Sequence, residues 1–384
     1  MAMRSILTCF SLFVLLCKGF SQSAQPAQPA QSARQTQSSQ YLQPGFSGSE
    51  YLEMLKINAY MSDSMPIQAH IPAPAAYARI YRSPVVGLLN KWDMWVRNDH
   101  KVAVISIRGT TGDLPSWLEN FYAAMVPANG SLQLTDSTLF TYQLAADSKA
   151  MVHVGWLVGL GYLAPTMLTR IRMAYGEGIR EFIIVGHSQG GALAFLTRSY
   201  LYYLSRKGDL PEDIVIKTYC SAAPKPGNMY YAYDFDFITR NGWAFTVVNA
   251  ADWVPETPFS LQAISDYNPV NPFVNIKPAL RKQPWLVRLY IKGKYNKLNR
   301  VTRKAQKCFK STLGDMVYKQ VKKTLTQLRA PQYADGNNFQ RAGIPIVLQP
   351  DSAYYARYPN DPTKVFQHHF FMPYMILTEK YYGK

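Results

Sequence analysis

Four short apolar runs, each closed by small or polar residues, set the rhythm of the central part of the chain. Lys101 to Ile107 alternates in the manner of a strand and ends at Arg108-Gly109-Thr110-Thr111. Phe182-Ile183-Ile184-Val185 is continuous and too short for a helix, the pattern of a buried strand. Gly191 to Leu196 then opens a segment apolar on all sides, which predicts a buried helix. Ile214 to Cys220 and Ala244 to Asn249 read as further strands. Strands alternating with helices predict an α/β fold with a mostly parallel central sheet.

The turn after the second run is Gly186-His187-Ser188-Gln189-Gly190, a GxSxG pentapeptide between a strand and a helix. Small residues two before and two after the serine let the chain turn sharply enough to hold Ser188 strained, its hydroxyl raised above the sheet edge. Any tight strand-to-helix turn needs small residues, so it is the flanks that give the pentapeptide meaning. Ser188 is the candidate nucleophile. Such a serine needs a base, and the base an orienting acid, supplied downstream in the order Ser, Asp, His. Asp252 lies just past the end of the Ala244–Asn249 run, where open α/β sheets collect functional groups. Of six histidines only His368 and His369 follow it. Adjacent side chains in a loop point apart, so one imidazole reaches Ser188; His369 is the expected base and His368 the alternate. The backbone N–H of Gln189 and the N–H and hydroxyl of Thr110 are the expected oxyanion donors. Neither histidine has metal-ligand spacing with Cys, Asp or Glu, and no metal or cofactor is expected.

With these segments in order, the chain resembles the class 3 lipases, the fungal-lipase-like branch of the α/β-hydrolases, as an exported member of bacterial type. Ile107-Arg108-Gly109-Thr110 with Ser116-Trp117-Leu118-Glu119-Asn120 is similar to the family's arginine-glycine-hydroxyl turn and the tryptophan of its lid. Val152-His153-Val154-Gly155-Trp156 is similar to its Val-His-x-Gly-aromatic motif at a helix start. Gly186 to Ala194 is similar to its elbow, with Gln189 where leucine is common, and Ser221 to Asn228 with Asn249 to Pro255 to the stretch carrying its acid. The likeness covers about residues 80 to 260. It implies a triad of Ser188, Asp252 and a C-terminal histidine, Thr110 and Gln189 as oxyanion hole, and acyl transfer from an ester or lipid substrate. His187 and His153 precede the acid and are expected to be structural. The segment from Ser116 to Met125 is expected to be amphipathic, either a lid presenting Trp117, Phe121 and Met125 to the acyl chain or an ordinary core-facing helix. The expected function is a lipase or carboxylesterase on acylglycerol-type esters. The alternatives are a phospholipase or other acyl hydrolase on the same triad, or a catalytically silent surface protein that binds anionic ligands.

Composition agrees: 384 residues, 48% hydrophobic and 17% charged, can bury one large core or a core plus an appended subdomain. Met1 to Arg4 followed by the apolar stretch Ser5 to Cys17 reads as an export signal over 1–21, and the Ala-Gln-Pro-Ser tract over 22–40 as a linker too poor in apolar residues to build a core. The hydrolase domain is then 41–384, in a periplasmic, extracellular or outer-surface protein. Lipidation at Cys17 is a minor alternative, since Leu16 is bulky where such a site wants a small residue. Outside the signal only Cys220 and Cys308 remain, permitting one disulfide and implying none.

Charge adds a feature. Between Lys277 and Arg329 stand sixteen bases against one acid, Asp315, so this stretch carries +15 of the formal +17. Apolar residues recur through it at mixed helical spacings, which predicts two or three basic amphipathic helices inserted between the acid and the histidine. Three roles fit such an insert: a cap over the site, contact with an anionic membrane, or a solvated face. Nucleic acid is not an expected partner, because no recognised binding motif accompanies the bases and export removes most of it.

Overall fold

The computed structural model describes residues 41–61, 70–273, 276, 280–281 and 283–383. The expected export signal, the linker, Cys17, Lys277 and Lys282 lie outside the described residues.

The main sheet has seven strands, β1 (Tyr77–Arg82), β2 (Trp92–Arg97), β3 (Val102–Ile107), β4 (Glu181–His187), β5 (Val215–Ser221), β6 (Ala244–Asn249) and β7 (Ile344–Leu348), neighbours in space as in sequence. β1, β2 and β3 pair antiparallel, while β3 through β7 run parallel. Parallel strands covered on both faces read as continuous apolar runs, and β3, β4 and β6 are buried at every position. Alternation then divides each strand between two cores. Phe182 and Ile184 of β4 join Leu157 and Leu160 of α3 (Val154–Gly176) and Leu193 and Leu196 of α4 (Gln189–Arg206). Ile183 and Val185 join Tyr51 and Leu55 of α1 (Gly48–Ala59) and Tyr374 and Leu377 of α9 (Phe371–Tyr382). Each such side chain contributes about 1.5–3 kcal/mol by leaving water. The strand that the pattern set at Lys101 to Ile107 is thus a central strand with no solvent face.

β1 and β2 have no counterpart in the expectations, and neither does β7. Pro345 interrupts the apolar pattern of β7, and proline cannot donate to a ladder, which suits the edge position that β7 holds. Four short strands, Met125–Pro127, Met151–His153, Gly227–Asn228 and Phe339–Gln340, make a second, antiparallel sheet, and Asn129–Thr135 with Thr138–Gln143 a hairpin. Further α-helices among the described residues are α2 (Leu114–Phe121), α5 (Met229–Ile238), α6 (Trp285–Lys310), α7 (Val317–Thr324) and α8 (Ser352–Arg357).

The basic insert lies in the connection between the parallel neighbours β6 and β7. Among its described residues it carries two helices, α6 passing through a π-helical segment, Ser311–Met316, into α7. The two ends differ. Val317, Val321, Leu325 and Leu328 are buried in the first core, and a Cβ at Gly314 would lie 3.0 Å from both Ala124 and Tyr333. Over the 26 residues of α6 only Gln306 is buried. Cys220 is buried and Cys308 exposed, and both are free.

Candidate active site

Because β3, β4 and β6 run parallel, the residues that follow them emerge at one edge of the sheet. Those residues are Gly109-Thr110, Ser188 and Asp252. Ser188 has φ 61° and ψ −129°, outside the ordinary regions for a non-glycine residue. The turn is held because its neighbours carry no side chain: a Cβ at Gly186 would lie 2.0 Å from the Gly190 carbonyl oxygen, and one at Gly190 would lie 2.3 Å from that of Ile107. The Ser188 N–H donates to the Ser221 carbonyl at 2.9 Å.

His369 Nδ1 donates to Asp252 Oδ2 at 2.7 Å, which leaves Nε2 as the basic nitrogen of the ring. Two further donors hold the carboxylate: Tyr374 Oη reaches Oδ2 at 2.8 Å and the Val254 N–H reaches Oδ1 at 3.0 Å. Tyr374 is fully buried, and burial together with the Asp252 charge drives its hydroxyl well above the usual tyrosine range, so it stays a donor. His368 turns elsewhere. Its Nδ1 meets Tyr354 Oη at 2.8 Å and its Nε2 meets Asn360 Oδ1 at 3.1 Å, while its carbonyl accepts from Asn249 Nδ2 at 3.0 Å. The structure therefore brings His369, not the alternate His368, to Asp252.

His187 does more than pack. Its Nε2 lies 2.6 Å from the His369 carbonyl oxygen, which can only accept, so Nε2 carries the hydrogen and Nδ1 accepts from Ser221 Oγ at 2.9 Å. Ser221 Oγ in turn meets Tyr51 Oη at 2.6 Å. Burial, and then the neighbouring His369, push the His187 imidazole down to about 3, so this relay is neutral and fixes the main chain that bears His369. His153 is structural. Its Nδ1 accepts from the Trp156 N–H at 3.4 Å and caps α3, its ring stacks on Trp156 at 3.6 Å, and burial pushes it down to about 3.

As the first residue of α4, Gln189 presents a backbone N–H with no acceptor inside the helix, at the positive end of the helix dipole. Its side chain faces α2, meeting Ser116 Oγ at 3.2 Å and the Ser116 carbonyl at 3.3 Å. Trp156 Nε1 donates to Asn120 Oδ1 at 3.1 Å, and Asn120 Nδ2 donates to Thr110 Oγ1 at 2.9 Å. With that lone pair occupied, the Thr110 hydroxyl keeps its hydrogen for another acceptor.

Thr110, Ser188, Gln189 and His369 all line a cavity of about 2020 Å³. An aromatic chain crosses its wall: Trp117 stacks on Phe121 at 5.9 Å and meets Phe366 at 5.8 Å, and Phe366 meets His369 at 6.0 Å. α2 exposes Leu114 and Phe121, at 68% and 52%, and buries its polar Ser116 and Glu119, the reverse of an ordinary core-facing helix. Met125, expected beside Trp117 and Phe121, instead lies buried in the strand after α2, because the helix ends at Phe121. Among the described residues no group of three or more His, Cys, Asp or Glu is arranged to hold a metal ion.

The family model described as Lipase (class 3) matches residues 104–262. The secreted mono- and diacylglycerol lipase 1 of Fusarium solani is 28% identical over 163 residues, 42% of this chain and 40% of that relative's own length. Among solved structures, the Rhizomucor miehei lipase propeptide complex is 18% identical over 55% of this chain and 63% of its own, with a TM-score of 0.39. A triacylglycerol lipase from Penicillium expansum is 16% identical over 55% of this chain and 72% of its own, with a TM-score of 0.40. Residues 104–262, which hold Thr110, Ser188, Gln189 and Asp252, are thus the part of the chain that is similar to the class 3 lipases.

Proposed function

We propose that this chain is an exported serine ester hydrolase, a lipase or carboxylesterase acting on acylglycerol-type esters. The observation that carries the reading is the 2.7 Å pairing of His369 with Asp252 on a cavity that also holds Ser188 at a strained strand-to-helix turn. Ser188 Oγ attacks the ester carbonyl while His369 Nε2 takes its proton and returns it to the leaving alcohol. Asp252, held by Tyr374 and Val254, keeps His369 in the tautomer that has its lone pair on Nε2 and stabilises the imidazolium that forms. The oxyanion is met by the Gln189 N–H and by Thr110, whose hydroxyl Asn120 orients. Water then repeats the sequence on the acyl-serine.

A cavity of this size with Trp117, Phe121 and Phe366 in its wall suits a long acyl chain. The exposed apolar side of α2 is read as a lid face turned toward lipid. The basic insert suits contact with an anionic lipid surface.

The test is hydrolysis of p-nitrophenyl esters of short and long acyl chains, together with a phospholipid, by the wild-type chain and Ser188→Ala. Turnover that rises with acyl length and is lost in Ser188→Ala is expected. Preference for the phospholipid would move the assignment to a phospholipase. A folded protein with no Ser188-dependent turnover would move it to a silent binding protein.

A further inference from the structure

α6 has two kinds of outer face along its length. Its first two turns expose Trp285, Leu286, Leu289 and Tyr290, each 60% or more accessible. From Lys292 onward the exposed positions are mostly basic, including Lys297, Arg300, Arg303, Lys304 and Lys307. No acid occurs anywhere in α6, and the residues turned toward the protein, such as Val287, Ile291, Thr302 and Phe309, are only half-buried. At 1.5 Å per residue the helix is about 39 Å long. Its far end is tied to the site, because Phe309 stacks at 6.3 Å on Phe259, which lines the cavity and is itself 77% exposed.

A solvated helix has no use for four large apolar side chains in two consecutive turns, and fourfold exposure of that kind marks an interaction surface. A dry protein partner would leave the bases that follow unpaired. An anionic bilayer meets both demands, taking the apolar turns below the headgroups and the bases among the phosphates. We propose that α6 is an interfacial helix that docks the protein on anionic lipid: Trp285, Leu286, Leu289 and Tyr290 insert, and Lys297, Arg300, Arg303, Lys304 and Lys307 engage phosphate. This deepens the ester-hydrolase reading by naming the surface that would bring substrate to the cavity. It can be tested apart from that reading, because binding needs no turnover.

The experiment is co-sedimentation of the Ser188→Ala chain with phosphatidylcholine vesicles, with and without phosphatidylglycerol, at low and high salt. A soluble short-chain ester assay on the same α6 variants in the Ser188 background monitors folding. Strong binding only to the phosphatidylglycerol vesicles is expected, falling steeply with salt. Each base near the surface is worth about a fivefold change in partition, so replacing Arg300, Arg303, Lys304 and Lys307 by glutamine should lower it by about 10²-fold or more. Trp285→Ser with Leu289→Ser should lower it about tenfold or more at low salt, where charge alone would still hold. Ester turnover should change in neither variant. Equal binding to both vesicle types would overturn the proposal, as would anionic binding indifferent to Trp285 and Leu289. So would capture of a DNA duplex in place of vesicles, or self-association through α6 with no vesicle binding. Absence of Ser188-dependent ester turnover from the wild-type chain, with anionic vesicle binding intact, would sink the enzymatic reading and leave this one standing.

Discussion

Glu119→Gln should stabilise the fold above neutral pH. Glu119 is fully buried on α2, and burial pushes its carboxyl from 4.5 up to about 8, with hydrogen bonds from Asn90 and Gln189 offsetting part of the rise. In the unfolded chain the group titrates near its ordinary value. Between those two values the folded state therefore keeps a proton that the unfolded state has released, and stability falls as pH rises. The contribution is fully present below about 4.5 and is lost by about 8, at roughly 1.4 kcal/mol per unit, or roughly 5 kcal/mol over the window. Glutamine keeps the shape and an acceptor for Asn90 without a charge to bury, so the slope should vanish. Urea denaturation of both proteins at about pH 5 and about pH 9 measures it. The curves should nearly coincide at the lower pH, and the wild type should be several kcal/mol less stable at the higher. The contact also has a functional side. α2 rests on Gln189 through Ser116, one turn before Glu119, so ionisation of Glu119 should loosen α2 against the elbow and lower wild-type turnover at alkaline pH, a limb that Glu119→Gln should lack. Parallel stability profiles for the two proteins would refute the reasoning, since they would mean that the carboxyl is not carried neutral into the core.

His369→Ala should lower ester turnover by about 10⁴-fold or more and His368→Ala by less than about tenfold; steady-state kinetics read both, and comparable collapse of the two would contradict the pairing of His369 alone with Asp252. Tyr374→Phe removes one of the donors on a buried carboxylate, a bond of the kind worth about 1.5–3 kcal/mol, and should lower both thermal stability and kcat; a variant unchanged in both would mean that Asp252 is held without it. Gly186→Ala should yield no soluble native protein, because its Cβ would lie 2.0 Å from a main-chain oxygen, whereas Gly176→Ala meets nothing within 4 Å and should express and melt like the wild type.

The parts legible in the sequence are those whose signal is local. β3 to β6 are central strands, and burial on both faces makes β3, β4 and β6 mostly apolar runs, while β5 keeps apolar flanks around the buried Lys217 and Thr218. Ser188 and Asp252 lie at the ends of those runs, and the choice of base was narrowed by the small number of histidines. What was not legible depends on neighbours far apart in the chain. Tyr374 serves Asp252 across 122 positions and Ser221 serves His187 across 34, and no spacing announces either. Asn120 lies within the Ser116–Met125 segment, but its bond to Thr110 appears only once α2 folds back. Periodicity also marks α2 as amphipathic without saying which side turns inward, and the side turned inward is the polar one.

The central claim is that Ser188 is the acylated nucleophile. Treating the wild-type chain with a long-chain alkyl phosphonate ester and mapping the adduct by peptide mass spectrometry tests it directly, because the reagent is attacked only by an activated hydroxyl and stays bound as a mimic of the tetrahedral intermediate. The account predicts one adduct, on the peptide containing Ser188, absent from Ser188→Ala and slowed severely in His369→Ala. An adduct on another residue, or labelling of Ser188 at the same rate without His369, would contradict it.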